Sequence, residues 1–146
     1  MNSGFKNALN SFGLFFLRVS AAAMMIFGHG LGKIENFETY AAKFADPFGL
    51  GQRTSLILAI VGEVVGPALV AFGLLTRFAA STTVVTMLVA AFYAHANDPL
   101  FTTGGPAKEM ALLYLIPFAA IMFTGPGKMS IDALLFREKK QMIAKV

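Results

Sequence analysis

Long apolar runs alternate with short polar ones along the whole chain. The runs are too continuous for a half-buried strand, and four stand out, over 9–31, 55–75, 78–95 and 106–124. A helix needs ~20 residues at ~1.5 Å each to cross a hydrocarbon core of ~30 Å. The first two runs meet that length. The third meets it only by running through His95, and the fourth only by starting near Pro106, a residue suited to a first helical turn. The pattern predicts an all-α fold, a four-transmembrane-helix bundle forming one domain over 1–146.

The connections carry patterns of their own. Ile34, Phe37, Ala41, Phe44 and Phe48 recur at helical spacing, with Glu35, Lys43 and Asp46 between them. Asn36 can cap such a helix and Asp46-Pro47 can end it. Either a short amphipathic helix in the first outer loop or a loop folded over the bundle's mouth gives this pattern. Beyond the fourth run, Gly125-Pro126-Gly127 makes a sharp stop. Ser130 can then cap a short helix through Phe136, and the basic tail from Arg137 to Lys145 is expected against anionic lipid headgroups. The first run has a basic start at Lys6 and small residues from Ser20 to Ala23, as a cleaved leader would. Arg18 interrupts it and three more spans follow, so a retained helix is expected.

Composition narrows the function classes. With 56% hydrophobic and 14% charged residues and a mean hydropathy of +0.66, no soluble stretch is long enough to bury a catalytic core. The chain has no cysteine, which excludes disulfides, thiolate metal sites and thiol redox chemistry of its own. The net charge of +4 follows topology. Lys6, Arg77, Lys128, Arg137, Lys139, Lys140 and Lys145 fall on the side of the termini, while Lys33, Lys43, Arg53 and Lys108 fall on the other. The cation excess predicts cytoplasmic termini. No basic face interleaved with aromatics is present, so nucleic acid is not an expected partner.

Two charges stand well inside the apolar runs, Arg18 and Glu63. Each costs ~2.5–3.5 kcal/mol at bilayer depth, and such residues usually face the bundle interior. Counted from the outer ends, Arg18 lies ~18 Å down and Glu63 ~12 Å down, so an Arg18–Glu63 contact is expected. His29 lies three turns above Arg18 on the same face, and Lys33 follows on that face if the helix continues past Gly30 and Gly32. His95 and Glu109 sit at the outer ends of the third and fourth runs. The candidate buried polar site is therefore Arg18, His29, Glu63, His95 and Glu109. Arg18 and Glu63 also read as a structural clip, and the histidines as interfacial hydrogen-bonders. A bis-His haem or a metal with Glu109 lacks any ligand-type spacing, so no metal site is predicted. Gly62 and Gly66 give a small-xxx-small contact, and Pro67 frees backbone groups one turn below Glu63. Phe27, Phe92, Tyr93 and Tyr114 read as bundle packing, or as the walls of a site for a planar ring.

At these residues the chain resembles the DoxX family of membrane proteins. The resemblance rests on Leu17-Arg18, His29-Gly30-Leu31-Gly32-Lys33, Glu63 and Gly73-Leu74-Leu75-Thr76-Arg77. It continues in His95, Lys108-Glu109, Gly125-Pro126-Gly127-Lys128 and Ser130-Ile131-Asp132, nearly the whole chain in order. It implies a four-helix protein of the bacterial inner membrane. Some relatives are subunits of a thiosulfate:quinone oxidoreductase and others associate with oxidative-stress enzymes, while the family has no settled catalytic assignment.

Two functions of different class remain open. One is a quinone-interacting accessory subunit of a membrane oxidoreductase complex, with quinone as ligand, no intrinsic cofactor, and electrons supplied by a membrane redox partner. In it His95 or Glu109 exchanges protons and Arg18 stabilises an anionic oxygen. The other is a non-enzymatic scaffold, with Arg18–Glu63 purely structural. A small-solute carrier is disfavoured because no internal repeat is visible, although a homo-oligomer would supply the symmetry.

Overall fold

The computed structural model describes residues 3–102 and 104–135. Its frame is helical, and no strand occurs among the described residues. Helix α1 spans Ser3–Glu35, α3 spans Gln52–Phe72 and α4 spans Thr76–Ala94, and all three are long and apolar enough to cross a membrane. Helix α2 is a single short turn, Phe37–Ala41. Helix α5, Glu109–Thr124, is apolar but shorter, at 16 residues.

The helices pack through small side chains, which suits segments that gain no hydrophobic drive from one another in lipid. Met25 of α1, Val70 of α3, Ala80 and Met87 of α4, and Phe118 and Ile121 of α5 form the centre of the core. A Cβ at Gly62 would overlap Thr86, and one at Gly66 would overlap Thr82 and Thr83, so these glycines set the close approach of α3 to α4. Gly30 does the same for α1, lying against the Glu63 carbonyl and Val64 of α3. Residues 3–10 of α1 are exposed along their whole length, so the helix begins well beyond the packed bundle.

Three of the four long helices contain a π turn, at Ile26–Gly30, Val61–Val65 and Ala90–Ala94. The second has a visible cause. Gly66 N–H bonds to Val61 O, five residues back. The next such bond, to Gly62 O, would come from Pro67, which has no N–H. Thr83 Oγ1 of α4 donates to that carbonyl at 2.8 Å. The proline therefore produces a π turn with a cross-helix hydroxyl as its cap.

Several expected boundaries move. Helix α1 runs through Gly30 and Gly32 to Glu35, four residues past the expected end at 31. Helix α5 begins at Glu109, so Pro106 precedes the helix and does not open it. Asn36 does not cap the loop helix: its amide donates back to Gly32 O and closes α1. The loop helix accordingly stops at Ala41, and residues 42–51 fold as turns. Phe27, Phe92 and Tyr93 are 74%, 64% and 50% exposed, so they face outward; of the four aromatics expected in the bundle, Tyr114 alone is buried. Ser130 Oγ accepts from Ala133 N–H at 3.1 Å, capping the turn of helix at 131–135; the expected end of that helix at Phe136 and the basic tail lie outside the described residues.

Candidate functional site

The two charges that the sequence singles out are both buried, and they do not meet. Arg18 is fully enclosed. Its Nη1 donates to Val70 O at 3.1 Å and Ala71 O at 3.4 Å, and its Nη2 donates to Met129 O. The first two carbonyls belong to the last turn of α3, whose final C=O groups have no partner within the helix. Gly73, at φ +70°, ends α3 in the left-handed conformation, with Leu74 N–H bonding back to Leu69 O. Arg18 thus caps a helix C-terminus, where the backbone dipole favours a cation.

A carboxylate completes this clip. Asp132 accepts from Leu75 N–H at 2.8 Å, Thr76 N–H at 2.9 Å and the Thr76 hydroxyl at 2.8 Å, and its own N–H donates to Gly73 O. Burial pushes the Asp132 carboxyl up, but the Thr76 and Leu75 donors and nearby Arg18 outweigh it and hold it below the usual carboxylate range. These bonds fix the segment after α5 against the α3–α4 turn. They also hold Leu75 at φ +48°, a conformation that costs a non-glycine residue roughly 1–2 kcal/mol. A Cβ at Gly73 would strike Arg18 and Ser130, so no other residue fits there.

Glu63 belongs to a second centre, about two turns of α3 before the carbonyls that Arg18 meets. Its partner is Lys33, with Nζ 2.5 Å from Oε2. The reason is register. Because α1 continues past both glycines, Lys33 descends to the level of Glu63, while Gly30 lies against Glu63 and Val64. Arg18 lies roughly 18 Å below Gly30 along α1, level with the end of α3. The expected Arg18–Glu63 contact is therefore replaced by two separate centres.

Beside Glu63 lies a cavity of about 620 Å³ between α3 and α4. Two π turns bracket it: Val61, Gly62 and Glu63 on α3, and Ala90 and Ala94 on α4. Such turns are frequent at functional sites because they displace side chains from the regular helical rows. Its walls are otherwise mostly apolar, with the hydroxyls of Ser81, Thr82 and Thr86 along one side. Those hydroxyls donate to the carbonyls of Phe78, Ala79 and Thr82, which leaves their oxygens able to accept. Tyr40 of α2 and Lys43, Phe44 and Phe48 of the turns after it roof the cavity, so the connection between α1 and α3 folds over it. Asp46 staples that roof to the start of α3 by accepting from Ser55 Oγ at 2.8 Å and from Leu50 and Gly51 N–H. The Ser55 bond foremost, with these N–H groups, holds the Asp46 carboxyl below its ordinary value against the opposing effect of desolvation.

The remaining candidates divide between these surroundings. His29 adjoins the ion pair, since Lys33 Nζ lies 3.5 Å from its carbonyl, and its ring meets Tyr114 edge-on at 5.0 Å. The Tyr114 hydroxyl donates to Met24 O at 3.2 Å. His95 and Glu109 do not join them. His95 Nδ1 pairs with Asp98 Oδ2 at 2.7 Å, and Glu109 accepts from Thr102 N–H at 3.1 Å, both in the connection between α4 and α5. Neither these two, nor Arg18 or His29, lines the cavity. No cluster of metal-ligating side chains occurs among the described residues. Lys33, the partner of Glu63, is the residue that sequence reasoning undervalued. Its signal was the four-residue step from His29, discounted because two glycines stood at the presumed helix end. Asp132 carried no signal beyond its place in a short motif.

The family model for DoxX matches residues 13–96, more than half of the chain. A Haemophilus influenzae protein described as uncharacterized is 34% identical over 127 residues, covering 86% of this chain and 92% of its own length. A second uncharacterized protein of that organism is 31% identical over 78 residues, covering 53% and 51%. No solved structure matches. The chain belongs to the DoxX family of membrane proteins.

Proposed function

We propose that this DoxX-family protein holds the ring of a lipid-soluble quinone in the cavity between α3 and α4, as an accessory subunit of a membrane oxidoreductase complex. One observation carries the reading: a mostly apolar cavity of about 620 Å³ with a single buried carboxylate, already neutralised by Lys33, at its polar end. That size lies within the ~300–1,000 Å³ of ordinary ligand sites, and the combination of apolar walls with a few polar groups is what such sites use. A neutral ion pair in an apolar setting suits an uncharged ring better than an ion. Lys43, in the wall of the cavity, can donate to a ring carbonyl, and the Thr82 and Thr86 oxygens can accept from the hydroxyls of the reduced form. Without cysteine, the chain relies on a partner subunit for electrons.

The same proposal places the protein in the bacterial inner membrane with four spans and both termini in the cytoplasm. Helix α5 serves as the fourth span, its length of ~24 Å completed by the turn before it. The cation excess beside the termini and the α3–α4 turn supports that orientation.

The test is equilibrium dialysis of a short-chain ubiquinone analogue against purified protein. Wild type should bind saturably. Ala90→Phe, which fills the cavity, and Glu63→Gln, which unbalances its polar end, should each weaken binding about tenfold, the effect of ~1.4 kcal/mol. Unchanged binding by both variants removes the quinone reading. The scaffold reading draws on the Arg18 clip, whose partners are all structural. It expects Glu63→Gln to lower stability alone.

A further inference from the structure

The cavity between α3 and α4 is covered on one side and open on another. Toward the outer loops it lies under Tyr40, Phe44 and Phe48, and Asp46 pins that cover to Ser55 and to the N–H groups of Leu50 and Gly51. Along the flank of the two helices the walls are themselves the surface. Leu58 and Val61 of α3 and Val85 of α4 line the cavity, yet they are 49%, 40% and 56% exposed. A side chain that both lines a cavity and meets the outside marks its rim. All three lie within long apolar helices, roughly 9–14 Å from the outer ends. The outside at that rim is therefore lipid. Gly62 packs directly on Thr86, so Val61 and Val85 are level with Glu63 and the rim reaches the cavity's polar end.

Length points the same way. Ser81 and Ala94 both line the cavity and lie roughly 20 Å apart along α4. A quinone ring spans only a fraction of that. A ring beside Glu63 leaves a stretch walled by Leu58, Val85 and Val89, which offers no polar partner but gives a hydrocarbon chain continuous contact. Resting on the quinone reading of this cavity, we infer that the ligand enters sideways from the bilayer, between α3 and α4, and that its isoprenoid tail lies across the rim of Leu58, Val61 and Val85. These residues touch the tail and not the ring. They are specificity-determining: they favour a tailed quinone over the bare ring. The covered side faces water, where a long apolar tail gains nothing.

The experiment compares two ubiquinone analogues with the same ring, one without a tail and one with two isoprenoid units, by isothermal titration of the full-length protein in detergent micelles. The double variant Val61→Phe, Val85→Phe fills the rim with apolar bulk that lipid tolerates. For each analogue the ratio of wild-type to variant affinity cancels its partition into the micelle. The tailed analogue should bind the variant about tenfold more weakly than wild type, the equivalent of roughly two methylene groups withdrawn from contact, while the bare ring loses less than about twofold. Val85→Phe alone should show the same selectivity at smaller size, so the result does not hang on the folding of the double variant. Ile116→Phe, on α5 at a position 63% exposed and outside the cavity, should change neither affinity. An equal change for both analogues, or none, overturns the sideways route and leaves the cavity a quinone site. So does a selective loss in Ile116→Phe. Binding of neither analogue by wild type removes the quinone reading, and this inference with it.

Discussion

Arg18 and Glu63 are both buried in the same bundle, yet their surroundings differ in kind. Arg18 is held by backbone carbonyls from α3 and the segment after α5, with Asp132 close by; it replaces hydrogen bonds that the helix ends cannot make themselves. Glu63 meets one side chain, Lys33, and faces a cavity through a π turn. The first charge closes the structure. The second borders a space that the packing leaves unfilled. Burial alone does not distinguish the two roles, but the identity of the partners does. A charge satisfied by backbone is difficult to replace, whereas one satisfied by a side chain can be exchanged together with it.

The largest effect should come from Arg18→Met. Methionine fills much of the volume but leaves the Val70, Ala71 and Met129 carbonyls without their donor and Asp132 without its counter-charge. A loss of about 3–5 kcal/mol is expected, as for any buried charge network deprived of one member. Denaturant titration in detergent micelles measures it. Arg18→Lys should recover little, because one ammonium cannot reproduce the planar fork that reaches carbonyls on two segments. A lysine variant as stable as wild type would show that charge, not geometry, holds the clip.

Asp132→Asn should come next, at roughly 2 kcal/mol, since the charge-assisted bonds from Leu75 and Thr76 weaken. It also predicts a pH dependence with a definite sign. The folded carboxyl titrates below its unfolded value, so its contribution is fully present above that unfolded value and is lost as pH falls through the lower folded one. Stability should therefore decline only below about pH 4. The asparagine variant should show a shallower acid limb. An identical limb in both proteins would mean that Asp132 is not ionised within the clip.

The helical frame was legible because apolar length survives any uncertainty in packing: each long helix lies on an expected run. Register was not legible. The expected pairing of Arg18 with Glu63 rested on α1 ending near Leu31, and a shift of four residues at that end brought Lys33 to Glu63 instead. Gly30, which with Gly32 read as a helix stop, proved to be the contact that lets α1 approach α3. The π turns were invisible for a related reason. Pro67 announced a disturbed backbone, but only the tertiary position of Thr83 shows how the freed carbonyl is satisfied. Asp132 was missed because its partners are N–H groups of a turn more than fifty residues away, which no local spacing reveals.

Thr83→Val should have a smaller effect. It keeps the shape and removes the one donor that reaches Gly62 O, at the edge of the cavity. Cross-helix hydrogen bonds in membranes average ~0.6 kcal/mol and reach ~1.7. The upper part of that range is expected here, because Pro67 denies the carbonyl its alternative partner within α3. Thermal unfolding in detergent gives the value. A loss as large as that of Arg18→Met would erase the contrast between the two centres.

The smallest change in stability should belong to the most radical substitution, Lys33→Met combined with Glu63→Leu. Replacing a buried ion pair by apolar residues of similar size is often neutral or stabilising, because both desolvation penalties vanish with the attraction. No equivalent exchange exists for Arg18, whose partners are mostly backbone and stay behind. The double variant should therefore unfold within about 1 kcal/mol of wild type, while binding of the ubiquinone analogue falls with the loss of the cavity's polar end. Glu63→Gln alone should lose more stability than the double variant and less than Arg18→Met, its Lys33 left unpaired but, at 16% side-chain exposure, close enough to the surface to reach water. A double variant that is strongly destabilised would place Glu63 with Arg18 as a structural charge and leave the cavity without a functional polar group.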